Sequence, residues 1–502
     1  MAQRISRRGF TVSTLAASSG LFGRTAWAEG QTLTVGIQSD PVTLDPALMA
    51  SYFEVAVQFN LHEPLVNLTA DLTVEAGLAS FVRRDAQTYD FALRPGLTFH
   101  DGSPIDAVAA KFNLDRLLDP ATASPRRSEL APVDSVELTG PLTFTIHLQT
   151  PYAPLLQVLA LRAGMLVSPT ALAALGQDFA FQAVGAGPYR VVSWTKNSDL
   201  VLERFDGYWR GPSALQRIVF RPIPDEAVRL ANLKAGTVQL IDGVPPQAVA
   251  ALKDDPGITL KHQPGLGFSA FSFNTRKPPF NDLRLRQAFA RAVDPDVVLK
   301  VAYFGQGRVA DGAVPPSVAW AHRAALHAPS SDQATGAKPL ADVGIALPVP
   351  VTLTVTNRPL HVRVAEVIQA QAQAAGFAVT IAQVDPTSLI TVLRKGEFDL
   401  CFSPWSGRSD PDGNMFGHFT KEGPQNFSGY DSPEVTLMLQ QARAAEDQAT
   451  RADLYLRAQD RIATDLPLLF LAFPKILQAS STDLFWHQYS DGAFRLHFAQ
   501  FV

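Results

Sequence analysis

The feature that most restricts the fold is a change of hydrophobic period between residues 351 and 402. Val351-Thr352-Leu353-Thr354-Val355 alternates with period two, as a strand does. Residues 361–375 carry a helical period and stop at Gly376, where a glycine can close the helix in the left-handed conformation. Residues 377–384 read as a strand, 387–394 as a helix and 398–402 as a strand again. A β-α-β-α-β run predicts a parallel sheet with helices on its faces.

A second alternating block lies upstream. Strands are expected at 32–37, 200–202, 217–220, 238–241 and 258–260, with helices at 225–235 and 246–253. It predicts another parallel sheet, independent of the first. Between residues 88 and 148 the pattern is β-rich. There Pro95-Gly96 predicts a turn between two short strands, because Pro fixes φ and Gly accepts a positive one. A hairpin is expected around Gly140-Pro141, and a helix at 107–118 with Ala109, Phe112 and Leu117 near one face. Two α/β blocks with a β-rich insertion predict two lobes and a cleft. No period of 20–50 residues is present, which excludes a solenoid or propeller.

At 502 residues the chain has room for about three structural units. Its first 28 residues hold four arginines and no acid, and they read as an export signal. Ser6-Arg7-Arg8-Gly9-Phe10 is a twin-arginine pattern, residues 12–22 are weakly apolar, and Ala26-Trp27-Ala28 offers a cleavage site before Glu29. Without this segment 39 basic residues face 47 acidic ones, a balance of −8 that argues against nucleic acid and anionic membranes as partners. Beyond residue 28 no apolar run reaches the ~20 residues a membrane span needs. The single cysteine, Cys401, is far from the cleavage site and has no partner for a disulfide. The expected product is free in the periplasm, a monomer without a membrane anchor.

In an open sheet, ligands bind beyond the carboxyl ends of the parallel strands. The segment after strand 398–402 is Ser403-Pro404-Trp405-Ser406-Gly407-Arg408-Ser409-Asp410-Pro411-Asp412-Gly413-Asn414. A carboxylate there, Asp410, can hold an ammonium by a charge-assisted bond, and Trp405 can stack on the body of a ligand. Equally, the segment reads as a rigid surface loop in which Arg408 pairs with Asp410 or Asp412. Arg358, just past strand 351–355, is a second candidate cation; the reading as a surface arginine at a helix start stands somewhat ahead of it.

The chain resembles the large peptide, opine and nickel solute-binding proteins of ABC importers, the dipeptide-binding kind. The resemblance rests on six segments in order. They are Asn60-Leu61-His62-Glu63-Pro64-Leu65, residues 93–104 from Leu93-Arg94-Pro95-Gly96 to Ser103-Pro104, Val184-Gly185-Ala186-Gly187-Pro188-Tyr189, Asp206-Gly207-Tyr208-Trp209, residues 273–282 with Asn274 near their start, and 405–414. It implies an α/β clamshell of the type II, cluster C-like periplasmic-binding-protein kind, with a β-rich subdomain inserted in the first lobe. The implied division is 1–28 signal, 29–62 with 184–265 and 472–502 as lobe I, 63–183 as the insertion, and 266–471 as lobe II. It implies a peptide or amino-acid-derivative ligand, an ABC permease as partner, no cofactor and no catalysis. By this resemblance Asp410 takes the ligand's ammonium, Arg358 or Arg408 its carboxylate, and Trp405 and Asn274 belong to the site. Asp412 stands where nickel-binding relatives have a histidine, although His418 is close by, so a metal chelate is the alternative ligand. A chemosensor is the alternative partner. A departure from the family pattern at 333–344, where Pro339 interrupts a stretch helical in relatives, predicts a loop or short helix.

Enzyme signatures are poorly met. Ser193-Trp194-Thr195-Lys196 fits S-x-x-K without its companion motifs, and Gly185-Ala186-Gly187 lacks the third glycine of a dinucleotide site. The ten histidines show no metal-ligand spacing.

Overall fold

The computed structural model describes residues 32–49, 54–324 and 346–502. The signal-like segment 1–28 and the stretch 333–344 lie outside the described residues.

The downstream block folds as its periods require. Strand Val349–Thr356 is parallel to Phe377–Val384 on one side and to Leu400–Phe402 on the other. Helices Pro359–Ala374 and Pro386–Lys395 make the crossovers, and Gly376 closes the first of them at φ 95°. The upstream block is only partly parallel. Strand Thr32–Ile37 runs parallel to Arg217–Pro222 and Leu240–Ile241, with helix Glu226–Lys234 providing the crossover. Strands Tyr189–Trp194, Leu200–Arg204 and Arg217–Pro222 instead form an antiparallel meander. Their connections hold no helix, and a parallel pairing needs a crossover of about a dozen residues or more.

The two sheets are not independent. Strand Leu468–Ser481, 14 residues long, pairs through its first half with Ser269–Phe273 and Gly307–Val309. Its second half pairs with Leu240–Ile241 and Ile258–Pro264. At about 3.3 Å per residue it is roughly 45 Å long, enough to serve both lobes. It is buried at both ends and half-exposed at Pro474, Lys475 and Ile476 in its middle, where it borders the gap between the lobes.

The β-rich unit is a four-stranded antiparallel sheet in the order Ala79–Arg83, Thr88–Leu93, Thr143–Leu148, Val133–Leu138. The hairpin about Gly140-Pro141 is present. Pro95-Gly96 does turn, with Gly96 at φ 76°, but no second strand follows it. Residues 97–105 fold on themselves instead, the N–H of Phe99 bonding Ser103 O and that of Ile105 bonding Leu97 O. Helix Ala107–Leu118 starts where Asp106 caps the N–H of Ala109, and it buries Ala107, Ala110, Leu114 and Leu117. Phe112 points outward rather than joining that face.

Separate apolar cores lie under these sheets. One unites the β-rich strands with helix Ala107–Leu118. Another joins Leu33 and Val35 with Phe220, Trp486 and Phe494, and it takes in Val167, Ala171, Phe179 and Ala183, which the sequence reading assigned to the insertion. Two more fill the downstream lobe.

Candidate ligand-binding site

Loop 403–411 leaves the end of strand Leu400–Phe402 and is fixed before any ligand arrives. Trp405 exchanges backbone hydrogen bonds with Phe268, N to O at 2.8 and 3.0 Å. Gly407, at φ 79°, lies against the Leu266 backbone, where any Cβ would collide with the Leu266 carbonyl. Asn414, wholly buried, ties the loop together. Its Oδ1 accepts from the Trp405 indole N–H at 3.0 Å and from the Arg408 N–H at 2.9 Å, and its Nδ2 donates to Leu266 O at 3.1 Å. Its side-chain amide therefore joins two points of the loop to each other and to Leu266.

Within that frame Trp405 meets the edge of His418 at 4.7 Å between ring centroids, and His418 meets Phe268 at 5.6 Å. Burial, and Arg408 nearby, push the His418 imidazole down to about 3, so it is neutral at pH 7. The Arg408 guanidinium lies 4.7 Å from the centre of the Trp405 ring, and its Nη1 donates to Gly407 O at 2.6 Å.

The two aspartates are paired with arginines from distant helices rather than within the loop. Asp410 Oδ1 accepts from Arg451 Nη2 at 2.7 Å and from the N–H of Asp412 at 2.9 Å. Asp412 takes a two-pronged bond from Arg443, at 2.9 and 2.7 Å. Burial raises the Asp412 carboxyl above its ordinary range although Arg443 works against it. Asp410 is 5% exposed, yet its Oδ2 has no hydrogen-bond partner among the described residues. A buried carboxylate oxygen left this way costs free energy until a donor reaches it.

Trp405, Arg408 and Asp410 line one cavity of about 140 Å³, with Arg126, Glu129 and Tyr152 of the β-rich unit opposite. Burial raises the Glu129 carboxyl, but Arg162, Arg126 and Arg408 more than offset this and hold it below the usual range. A second cavity of about 310 Å³ lies between the lobes, lined by Asp242, His361, Phe402, Pro404 and the middle of strand Leu468–Ser481. An apolar neck of about 30 Å³ shares Leu161 and Arg408 with the first cavity and Val55 with the second.

The structure thus brings together three of the five residues singled out in the sequence. Arg358 is not on the wall that holds Asp410. It is part-buried at the start of helix Pro359–Ala374, where burial and Arg229 lower its pKa and Asp242 acts against them. Asn274 contributes to the frame: its Nδ2 donates to Gly396 O and Phe398 O at 2.9 and 3.0 Å, and its Oδ1 accepts from Arg276. Arg443, Arg451, Glu129 and Tyr152 were not anticipated. They lie tens to hundreds of residues from the loop in sequence, and nothing local to them signals the meeting. Among the described residues no three His, Cys, Asp or Glu side chains gather as a metal ion requires. The S-x-x-K lysine, Lys196, donates to the Pro41 carbonyl at 2.8 Å.

With this geometry in hand, comparison with known proteins is decisive. The family model of the bacterial extracellular solute-binding proteins, family 5 (middle), matches residues 46–427. The chain belongs to this family. Among the relatives of this solute-binding protein is the glutathione-binding protein GsiB of Pectobacterium atrosepticum, 30% identical over 88% of this chain and 87% of its own. Among solved structures, the ABC transporter-associated periplasmic binding protein DppA of Helicobacter pylori, in complex with peptide STSA, superimposes with a TM-score of 0.86 at 25% identity. That match covers 94% of this chain and 98% of the other. NikZ of Campylobacter jejuni, in complex with Ni(L-His), shares the fold with a TM-score of 0.85 at 21% identity, over 94% and 100% of the two chains. The two-lobed α/β clamshell expected from the sequence, of the type II periplasmic-binding-protein kind, is the fold of this chain. It is the solute-binding component of an ABC importer. No helix among its described residues is long and apolar enough to cross a membrane.

Proposed function

We propose that this protein captures a peptide-like ligand in the class of glutathione and delivers it to its permease after closing around it. The observation that carries the reading is Asp410 Oδ2, buried and without a hydrogen-bond partner among the described residues, on the wall of a cavity that also holds Trp405 and Arg408. The charged side chains of that wall are three arginines, Arg126, Arg408 and Arg443, and three carboxylates, Glu129, Asp410 and Asp412, so it suits a guest that carries both signs of charge. A ligand N–H, amide or ammonium, satisfies Asp410 Oδ2; a ligand carboxylate is matched to Arg408; Trp405 packs against the chain between them. Glutathione has one ammonium and two carboxylates, and a relative at 30% identity is named for binding it.

The same reading keeps Arg358, two residues before Leu360 of the second cavity's wall, as a second cation for a ligand reaching past the neck. It takes 1–28 as a twin-arginine signal removed before Glu29, the mature protein as a periplasmic monomer, and the lobes as divided near 63–183 and 266–471. The intact mass of the exported product should begin at Glu29.

Thermal melting of the mature protein against glutathione, neutral dipeptides, opines and Ni²⁺ tests the reading. A ligand at 100 times its Kd stabilises by about 2.7 kcal/mol, a shift of a few degrees for a chain of this size. Glutathione should give that shift and neutral dipeptides a smaller one. A shift with neutral dipeptides alone, or with Ni²⁺ alone, would overturn it.

A further inference from the structure

Beside the first cavity the β-rich unit and the downstream lobe meet through three kinds of contact at one place. The N–H of Ala153 donates to the Arg443 carbonyl at 2.9 Å. The Arg443 guanidinium lies 5.1 Å from the centre of the Tyr152 ring. Arg83 Nη2 stands 3.4 Å from Glu446 Oε1. Tyr152 and Ala153 follow strand Thr143–Leu148, whereas Arg443 is in the last turn of helix Pro433–Ala444. The same guanidinium holds Asp412 by two bonds and stacks on Phe416 at 3.3 Å. Asp412, Phe416, Tyr152 and Arg443 all line the cavity. A planar fork that stays charged can bond a carboxylate along its edge while offering its face to an aromatic ring, which an ammonium cannot do.

We propose that Arg443 is the positioning residue through which the cavity and the closure of the β-rich unit are coupled. The inference rests on the reading that the protein closes around its ligand. Asp412 fixes the edge of the guanidinium, and that fixes the face presented to Tyr152. Opening breaks the Ala153 bond, parts Arg443 from Tyr152 and exposes the Asp412–Arg443 pair to water, where it is worth far less. Leu72 adds a second clasp: it sits at the tip of a β-hairpin of the β-rich unit, in the left-handed conformation at φ 67°, and packs against the downstream core. A β-branched-free but bulky residue accepts that conformation only at a cost, so its contact has to return more than the strain. These interactions belong to the closed form and act on release more than on capture.

The test uses the mature protein with Arg83→Cys and Glu446→Cys, joined by a short bismaleimide. Cys401 is fully buried and burial pushes its thiol up to about 12, so the reagent reads only the engineered pair. Without ligand, the rate of cross-linking reports how often the unit closes. Adding Arg443→Lys, which keeps the charge and loses the fork and the stack, should slow it about tenfold at a temperature where the unfolding curve shows the variant fully folded. In the parent protein, Arg443→Lys should speed glutathione release about tenfold and leave its association rate unchanged. A cross-linking rate within about twofold of the parent would overturn the proposal. If glutathione does not bind the wild type, the glutathione reading fails, and the ligand-free cross-linking rate still decides this one.

Discussion

At the scale of single residues, the ligand loop separates charges that build the site from a charge that faces it. Asp410 has both tasks, because Arg451 is its buried partner through Oδ1 while Oδ2 remains open. Asp410→Ala should therefore cost about 3–5 kcal/mol of stability as well as ligand affinity, since it strands a buried guanidinium. Denaturant unfolding of the ligand-free variant checks this; a stability change below about 1 kcal/mol would show that Arg451 finds another partner. Arg408 has a milder structural task. Besides a carbonyl, a hydroxyl and an indole face in the loop it helps hold the Glu129 carboxyl low, so Arg408→Gln should cost about 1 kcal/mol of stability, less than Asp410→Ala. It should weaken an anionic ligand by about 2–3 kcal/mol, as loss of one partner of a desolvated charge pair does. Calorimetric titration separates the two effects, and equal affinity for wild type and variant would remove Arg408 from the site.

At the scale of elements, what was legible in the sequence was whatever depends on neighbours in the chain. The period of residues 351–402 fixed strands, helices and the glycine stop because each is a local matter. The loop Ser403 to Asn414 was found for the same reason: its mixture of aromatic, cation and turn residues is contiguous. Sheet pairing was less legible. Leu468–Ser481 reads as one apolar run, and nothing in it says that two sheets use it. Nor does the loop say that Arg443 and Arg451, 31 and 41 residues from their partners, complete it. Asn414 is the last residue of the segment, and only the fold makes it the hub. The frame gives its own prediction. Gly407→Ala places a methyl group against the Leu266 carbonyl at φ 79°, so it should destabilise by at least about 2 kcal/mol. It should also lower affinity by displacing Arg408; crystals or amide exchange of 403–411 would show the loop moved, and an undisturbed loop would refute it.

At the scale of the whole molecule, five histidines among the described residues are kept neutral by burial. Burial pushes His62 down to about 4 and His100, His361, His418 and His497 to about 3. In the unfolded chain each takes up a proton below about pH 6.5 while the folded protein does not, so acid favours unfolding. Each such group removes about 1.4 kcal/mol per pH unit between roughly 6.5 and its folded value. The buried carboxyls of Glu63, Asp242 and Asp412, raised by burial, act in the other sense but are fewer. Unfolding midpoints should fall between pH 7 and 5, and a flat profile there would mean these imidazoles are hydrated in the native state. The strand shared by the lobes sets a different kind of limit, one of timing. Residues 468–481 come near the end of the chain, yet both sheets are built around them. A ribosome therefore has to make residues 32–467 before either lobe can be completed, and truncation after residue 467 should leave two unfinished sheets rather than one intact lobe and a tail.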